Sequence, residues 1–376
     1  AITAGTAEST QLQPGETITL LYSGKGITTA GASLSMLEGK NKVIDPGMVT
    51  RTVDIKKDGE NALSLYIPED SVATLSEDTK LLAETRAAGT ALLWNGGAAA
   101  STTAYSDAVS AYAGGDASYV PYVSLGGFSL RNETGSYVDT KGLTANLGFV
   151  KRWEAEKHTD NLMPFFEYGA SNYTSHLDDG ARADGKQHYI GGGVLLRRDN
   201  TDGLHYEAMV RAGRLHGDFA GIMEGYHSSY NSNAPYLAAH AGIGKLFKQK
   251  DNSVDVYGKF FWTHLGSDSA TIHNSLGQAQ YDFAAVNSYR TRLGVRYTKN
   301  QPYHSAFYAG LGWDYEFDGE AKASYRNFNT PSPSTKGSSG FVELGWQSRS
   351  TKENPWGADV HVTGWVGKQR GIVYGV

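Results

Sequence analysis

From Tyr119 to the C-terminus, stretches of roughly ten residues alternate polar with apolar side chains and are separated by turn-rich gaps. A period of two places successive side chains on opposite faces of a β-strand. Eleven such stretches can be marked, at 119–131, 137–153, 162–174, 188–198, 205–219, 235–247, 254–266, 281–298, 306–318, 340–349 and 358–368. A twelfth begins at GIVYGV (371–376) and reads as cut off. The stretch YDFAAVNSYRTRLGVRYTK (281–299) poses the central question. Its Arg290, Arg292 and Arg296 share one face, and Tyr289, Leu293, Val295 and Tyr297 share the other. In a soluble sandwich the arginines would meet water. In a membrane barrel the apolar face would meet lipid and the arginines would line a lumen.

Bulk composition narrows the choice. The 376 residues are 40% hydrophobic and 19% charged, with a mean hydropathy of -0.41. No run approaches the roughly eighteen apolar residues of a spanning helix. A barrel escapes that test, because half of each strand is polar. The net charge of -5 gives no basic footprint for nucleic acid. Cysteine is absent, which excludes disulfides, thiolate metal sites and a cysteine nucleophile. The first residues, AITAGTAEST, lack a charged and then apolar leader. The chain therefore reads as cytoplasmic or as a processed piece of something longer.

The polar faces carry both signs of charge. Glu167, Glu207, Asp255, Asp314, Glu316, Glu343 and Asp359 stand against Arg211, Lys259, Arg290, Arg292, Arg296 and Arg349. Gly148, Gly169, Gly191, Gly193, Gly213, Gly242, Gly244, Gly294, Gly310, Gly312 and Gly345 fall on the same faces. Glycine weakens a strand unless something must approach its backbone closely. A lumen that holds another element needs such room, whereas a surface in bulk water does not. Aromatics near strand ends on the apolar faces, read as Trp153, Tyr173, Phe219, Tyr297 and Phe317, fit girdles at two membrane interfaces. The gaps at 175–187, 220–234, 267–280 and 319–339 are long and hydrophilic, and those at 199–204, 248–253, 299–305 and 350–357 are short. Long loops on one side and short turns on the other are the build of outer-membrane barrels.

Residues 76–95, SEDTKLLAETRAAGTALLWN, form the best helix. Ser76 can cap it, Glu77 and Asp78 suit its positive end, and Leu81, Thr85, Ala88 and Leu92 follow helical spacing. Gly96 and Gly97 are expected to stop it, with Asn95 at its end. Its length of ~30 Å and narrow Ala/Gly-rich second half suit a tenant of the lumen. A short second helix and a linker are expected over 98–117. Residues 1–74 read as short strands, in ETITLLYSG, ASLSMLEG and TVDIKKDGENALSLYIP. They form either a small β-domain or the last coils of a β-solenoid.

The opening pair GGFSLRNETGSYVDTKGLTANLGF (126–149), the strand NSYRTRLGVRY (287–297), the closing GWVGKQRGIVYGV (364–376) and the order helix then barrel resemble the translocator (β) domain of bacterial type V autotransporters. The resemblance spans 76–376, and more loosely 1–75 as the β-helical, autochaperone-like end of a passenger. It implies an all-β fold: a 12-stranded antiparallel transmembrane barrel with an α-helix in its lumen, preceded by a short β-solenoid-like segment. The implied domains are 1–75, 76–117 and 118–376. The implied role is to sit in the outer membrane, anchor a passenger and assist its export to the cell surface. Expected partners are outer-membrane lipid and lipopolysaccharide, the barrel assembly machinery, periplasmic chaperones and the passenger itself. The chain is expected to be a monomer without a cofactor. Family members end in a strand closing on an aromatic residue, so the end at Val376 implies that residues are missing.

Glu77, Asp78, Lys80, Glu84 and Arg86 are the expected helix-side partners of the lumen charges. Asp314 and Glu316 have the spacing of a paired-carboxylate site, but their arginine neighbours favour ion pairing over catalysis. The histidines form no HExxH motif or close pair, and His205, His240 and His361 fall on lumen faces. GGG at 191–193 lacks a following helix and is no phosphate loop. Some autotransporters cut themselves at paired asparagines on the helix; Asn95 is followed by Gly96, so that pattern is not met. The rivals are a porin or outer-membrane enzyme with an unrelated domain at 1–117, and a soluble all-β adhesin.

Overall fold

The structure is a computed structural model that describes residues 3–5, 13–28, 41–112, 119–302, 304–354 and 356–376. ASLSMLEG (32–39) and residues 113–118 lie outside the described residues.

Twelve long strands form the barrel wall: β7 (Val120–Glu133), β8 (Tyr137–Glu154), β9 (His158–His176), β10 (Arg182–Asn200), β11 (Leu204–Met223), β12 (Tyr226–Gln249), β13 (Asn252–Leu265), β16 (Val286–Gln301), β17 (Ser305–Glu316), β20 (Gly337–Ser348), β21 (Ala358–Gly367) and β22 (Gln369–Gly375). Each pairs antiparallel with the next, and β22 returns to β7 to close the ring. The twelfth strand, expected to be incomplete, pairs on both sides over the residues present. Residues 369–375 pair with β7 on one side, β21 takes up 371–375 on the other, and Leu125 and Val376 exchange N–H···O bonds. Closure matters because an unpaired strand edge in lipid costs several kcal/mol per exposed backbone group.

Among the described residues no helix is long and apolar enough to cross a membrane. The wall instead carries an apolar outer belt, in which Leu147, Phe166, Ile190, Val210, Leu311 and Val342 are exposed. Trp153, Tyr297 and Phe317 join it near strand ends. Tyr173 and Phe219 do not: both are buried in the lumen, which corrects their assignment to the outer face. The short turns appear where expected. The long gaps are largely strand, because β10, β11 and β12 run on beyond the apolar belt. β11 and β12 meet through Glu224 and Gly225, both left-handed (φ 49° and 83°), as tight hairpins require. Within 267–283, β14 (Asp268–Asn274) and β15 (Gly277–Phe283) form a hairpin that pairs with the small β18 (Ala323–Tyr325), followed by β19 (Phe328–Asn329).

Before the barrel come β1 (Thr3–Gly5), β2 (Thr17–Tyr22), β3 (Asn41–Ile44), β4 (Val49–Asp58), β5 (Ala62–Tyr66) and β6 (Thr74–Leu75). Among the described residues β1–β3 is parallel and the other pairings of this segment are antiparallel. Repeating parallel coils are not seen among the described residues, so the solenoid-like segment is not confirmed. The turn Asp45–Val49 docks on the loop hairpins. Tyr281 Oη donates to Gly47 O at 2.6 Å, Asn274 Nδ2 donates to Pro46 O at 2.8 Å, and Tyr281 stacks on Tyr325. Met48 is buried at the centre of this contact. Met48→Ala is expected to cost the docked state ~2–5 kcal/mol through the cavity left. Hydrogen exchange of 41–75 should then rise while exchange in the barrel strands stays as it was.

Candidate functional site

The lumen is filled by α1 (Lys80–Ser101), entered through a 3-10 turn at Glu77–Thr79 and followed by α2 (Thr103–Ala111). Every residue of α1 from Leu81 to Gly97 is buried, so the helix has no solvent face. Ser76 caps the turn by accepting from Asp78 N at 3.3 Å. At the long-loop rim, Asp78 accepts from Glu224 N (2.7 Å) and Ser76 Oγ donates to Glu224 Oε1 (2.8 Å). Burial pushes the Asp78 carboxyl above the ordinary carboxylate range, opposed by the Glu224 N–H and reinforced by the negative charges of Asp179 and Glu224. One turn further in, Thr134, Ser136 and Ser175 hydroxyls all donate to the fully buried Glu84. Lys80 Nζ lies 3.8 Å from it. Arg86 donates to the carbonyls of Gly266 and Ala284 at the base of the β14–β15 loop. Tyr230 Oη donates to Leu82 O, and Gln187 Nε2 to Thr85 O.

At mid-lumen, Trp94 meets the Phe261 ring edge-on at 4.8 Å, with the Arg290 guanidinium 4.2 Å from the Trp94 ring centroid. Arg211 donates to Leu93 O (2.8 Å) and to Glu167 (2.7 Å), which also accepts from Tyr236 Oη (2.6 Å). Gly96 and Gly97 do not stop the helix, and Asn95 lies inside it. The glycines are contact points: a Cβ on Gly96 would stand 2.0 Å from Tyr189 Oη. Local sequence rules place a stop here; close approach to the barrel wall keeps the helix going.

At the lower end, Lys259 Nζ donates to Ser101 O (2.8 Å), the carbonyl end of α1, where a cation complements the helix dipole. Lys259 also pairs with Glu207 (2.6 Å), which takes Arg197 (3.1 Å) and His240 (2.7 Å). α2 is tied down by Tyr105 Oη to Asp199 (3.0 Å), Ser106 Oγ to Asp359 (2.8 Å), and Thr103 to His361 (3.2 Å).

A helix threaded through a closed twelve-stranded sheet, with its start at the long loops and its end at the short turns, is the deciding arrangement. The autotransporter beta-domain family model matches residues 165–360, more than half the chain. The chain belongs to the autotransporter β-domain family. Two solved structures share the fold. The translocator domain of the autotransporter NalP from Neisseria meningitidis is 15% identical, covers 78% of this chain and 97% of its own, and gives a TM-score of 0.56. The transport unit of the autotransporter AIDA-I from Escherichia coli is 14% identical, covers 74% and 95%, and gives 0.53. No curated protein matches. The chain is thus an outer-membrane translocator domain for passenger export, in a family of transport barrels.

In this translocator, Glu167, Glu207, Arg211, Asp255, Lys259, Arg290, Arg292, Arg296, Asp314, Glu316 and Glu343 all point into the lumen, and Arg349 lies at its lower mouth. Their partners differ from expectation. The arginines pair with wall carboxylates, not with the helix: Arg290–Glu316 (3.2 Å), Arg292–Asp314 (2.9 Å) and Arg296–Glu343 (2.7 Å). Asp255 takes His205. On the helix, Lys80, Glu84 and Arg86 meet hydroxyls and carbonyls, and Glu77 is exposed. Register explains this, since Arg290↔Glu316 and Arg292↔Asp314 are direct cross-strand neighbours. Sequence reasoning missed Trp94, Tyr189, Arg197 and Tyr236, although strand parity already put the last three in the lumen. It also gave the inward glycines only part of their reason. A Cβ on Gly169 would strike Tyr189, on Gly191 Tyr236, on Gly294 Tyr257 and on Gly345 Tyr308. The rings lie flat over glycines of neighbouring strands and so leave the bore wide enough for α1.

Proposed function

We propose that this domain delivers the segment preceding it to the cell surface, and that α1 then remains as a plug held by the lumen charges. The observation that supports it most is the direction of threading. Segment 41–75 packs on the long loops, and α2 lies among the short-turn ends of the wall. The lumen carboxylates act as ion-pair partners, not catalysts; Asp314 spends both oxygens on Arg292, and Glu316 is taken by Arg290, Ser288 and the Tyr289 N–H. Insertion is assisted by periplasmic chaperones and the barrel assembly machinery, and the barrel works as a monomer. A diffusion porin would need the bore that α1 fills.

The absence of cysteine from the chain gives a clean test. Single variants Glu69→Cys, Asp178→Cys and Glu156→Cys each place one exposed thiol: in the passenger-side segment, a long loop and a short turn. A membrane-impermeant maleimide on intact cells should label the first two and spare the third. Labelling of Glu156→Cys alone would reverse the orientation and sink the proposal.

A further inference from the structure

We infer that the outer wall across β7–β10 and β22 holds a docking site for the phosphate-bearing headgroup of an outer-leaflet glycolipid, a reading that rests on the outer-membrane placement above. Two register rows carry it, just beyond the apolar belt on the long-loop side. In the upper row, Arg370 faces Arg131, Arg131 faces Asp139, Asp139 faces Thr174, and Thr174 faces Asp184. Its charges satisfy one another: Arg131 holds Asp139 through two bonds (2.6 and 2.8 Å), Arg182 holds Asp184 (2.9 Å), and Arg370 holds Glu133.

The row beneath is different. Lys141 faces Asn172, and Asn172 faces Lys186. All three side chains are exposed; Asp218 on β11 lies beside Lys186 and accepts from its backbone N–H (2.7 Å), while neither ammonium lies within ion-pair distance of a carboxylate among the described residues. Immediately toward the belt come Leu143, Ala170 and the stacked His188–His216 pair (5.1 Å), then Leu147, Phe166 and Ile190. The wall here forms a groove of about 690 Å³ between Arg131, Lys141, Asn172, Arg182 and Arg370. The opposite wall carries aromatics at its outer end, with Tyr289, Trp313 and Phe317 exposed beside a single lysine, Lys336. Unpaired lysines flanking a neutral amide, set where acyl chains give way to headgroups, match an anionic headgroup whose sugar can bond the amide. Lysine suits phosphate as a point charge.

The test uses the full chain in detergent micelles doped with diphosphorylated lipid A or with the same lipid stripped of its phosphates, and counts retained lipid by native mass spectrometry. The phosphorylated form should bind the unsubstituted chain more tightly, and K141Q/K186Q should weaken it about thirty-fold, two surface cations' worth. Lys151→Gln, on the short-turn side of the same wall, should leave binding unchanged. Equal binding of both lipids by the unsubstituted chain, with heat-modifiable gel mobility intact, would overturn the site while leaving the translocator reading in place. Unchanged binding by K141Q/K186Q would do the same. Displacement by inorganic phosphate alone would overturn the assignment to a lipid.

Discussion

Deleting residues 77–111 should raise the conductance of the reconstituted barrel roughly tenfold or more, because a closed sheet of this strand number leaves an aqueous bore once nothing fills it. The wall should survive the loss. Its ladder bonds run between strands; α2 adds a bond only past the end of β20, from Ser350 N to Ser110 O (2.8 Å). The lumen ion pairs Arg290–Glu316, Arg292–Asp314, Arg296–Glu343 and Arg211–Glu167 lie within the wall. Groups that lose helix partners, such as Ser136, Ser175 and Lys259, would meet incoming water. Planar-bilayer recordings measure the change, with heat-modifiable mobility confirming that the barrel has folded. Conductance equal to that of the full chain would mean that wall side chains close the bore and that the helix is not the plug.

Arg211→Met should destabilise the domain by about 3–5 kcal/mol, the usual cost of breaking a buried ion pair from one side. Arg211 and Glu167 are both essentially inaccessible, at 1% and 0% side-chain exposure. Without the guanidinium, Glu167 keeps only the Tyr236 hydroxyl, and Leu93 O loses its wall donor. The double variant Arg211→Met/Glu167→Gln should recover much of the loss, since the remaining amide is neutral. In the 77–111 deletion the same Arg211→Met change should cost far less, because water reaches Glu167. Urea titrations followed by gel mobility provide the comparison. A single variant as stable as the unsubstituted chain would mean that the pair is solvated and that the lumen is wet despite its helix.

Much of the architecture was legible because a period of two survives any packing detail. Parity put Gly169, Gly191, Gly294 and Gly345, and the arginines of β16, on the inner face. Tyr173 and Phe219 share parity with Gly169 and with Arg211, so parity also placed them inside; the outer-girdle assignment followed their position near strand ends and is what failed. The helix stop at Gly96 failed for a tertiary reason: Tyr189 Oη occupies the place a Cβ at residue 96 would take. That Asp314 and Glu316 pair with arginines was legible, but which arginine each takes follows from register, which no single strand encodes. Arg292 finds Asp314 only once β16 and β17 are aligned.

The charges at the two ends of α1 have a sense. The wall places Glu224 at its amino end, where Ser76 Oγ donates to it, and Lys259 at its carbonyl end, so the wall's electrostatics agree with a polypeptide lying in one orientation. A segment threaded the other way would bring its amide-rich tip against the ammonium and its carbonyl-rich tip against the carboxylate. The pore thus carries an arrow: its charges favour a helix whose amino end faces the long loops.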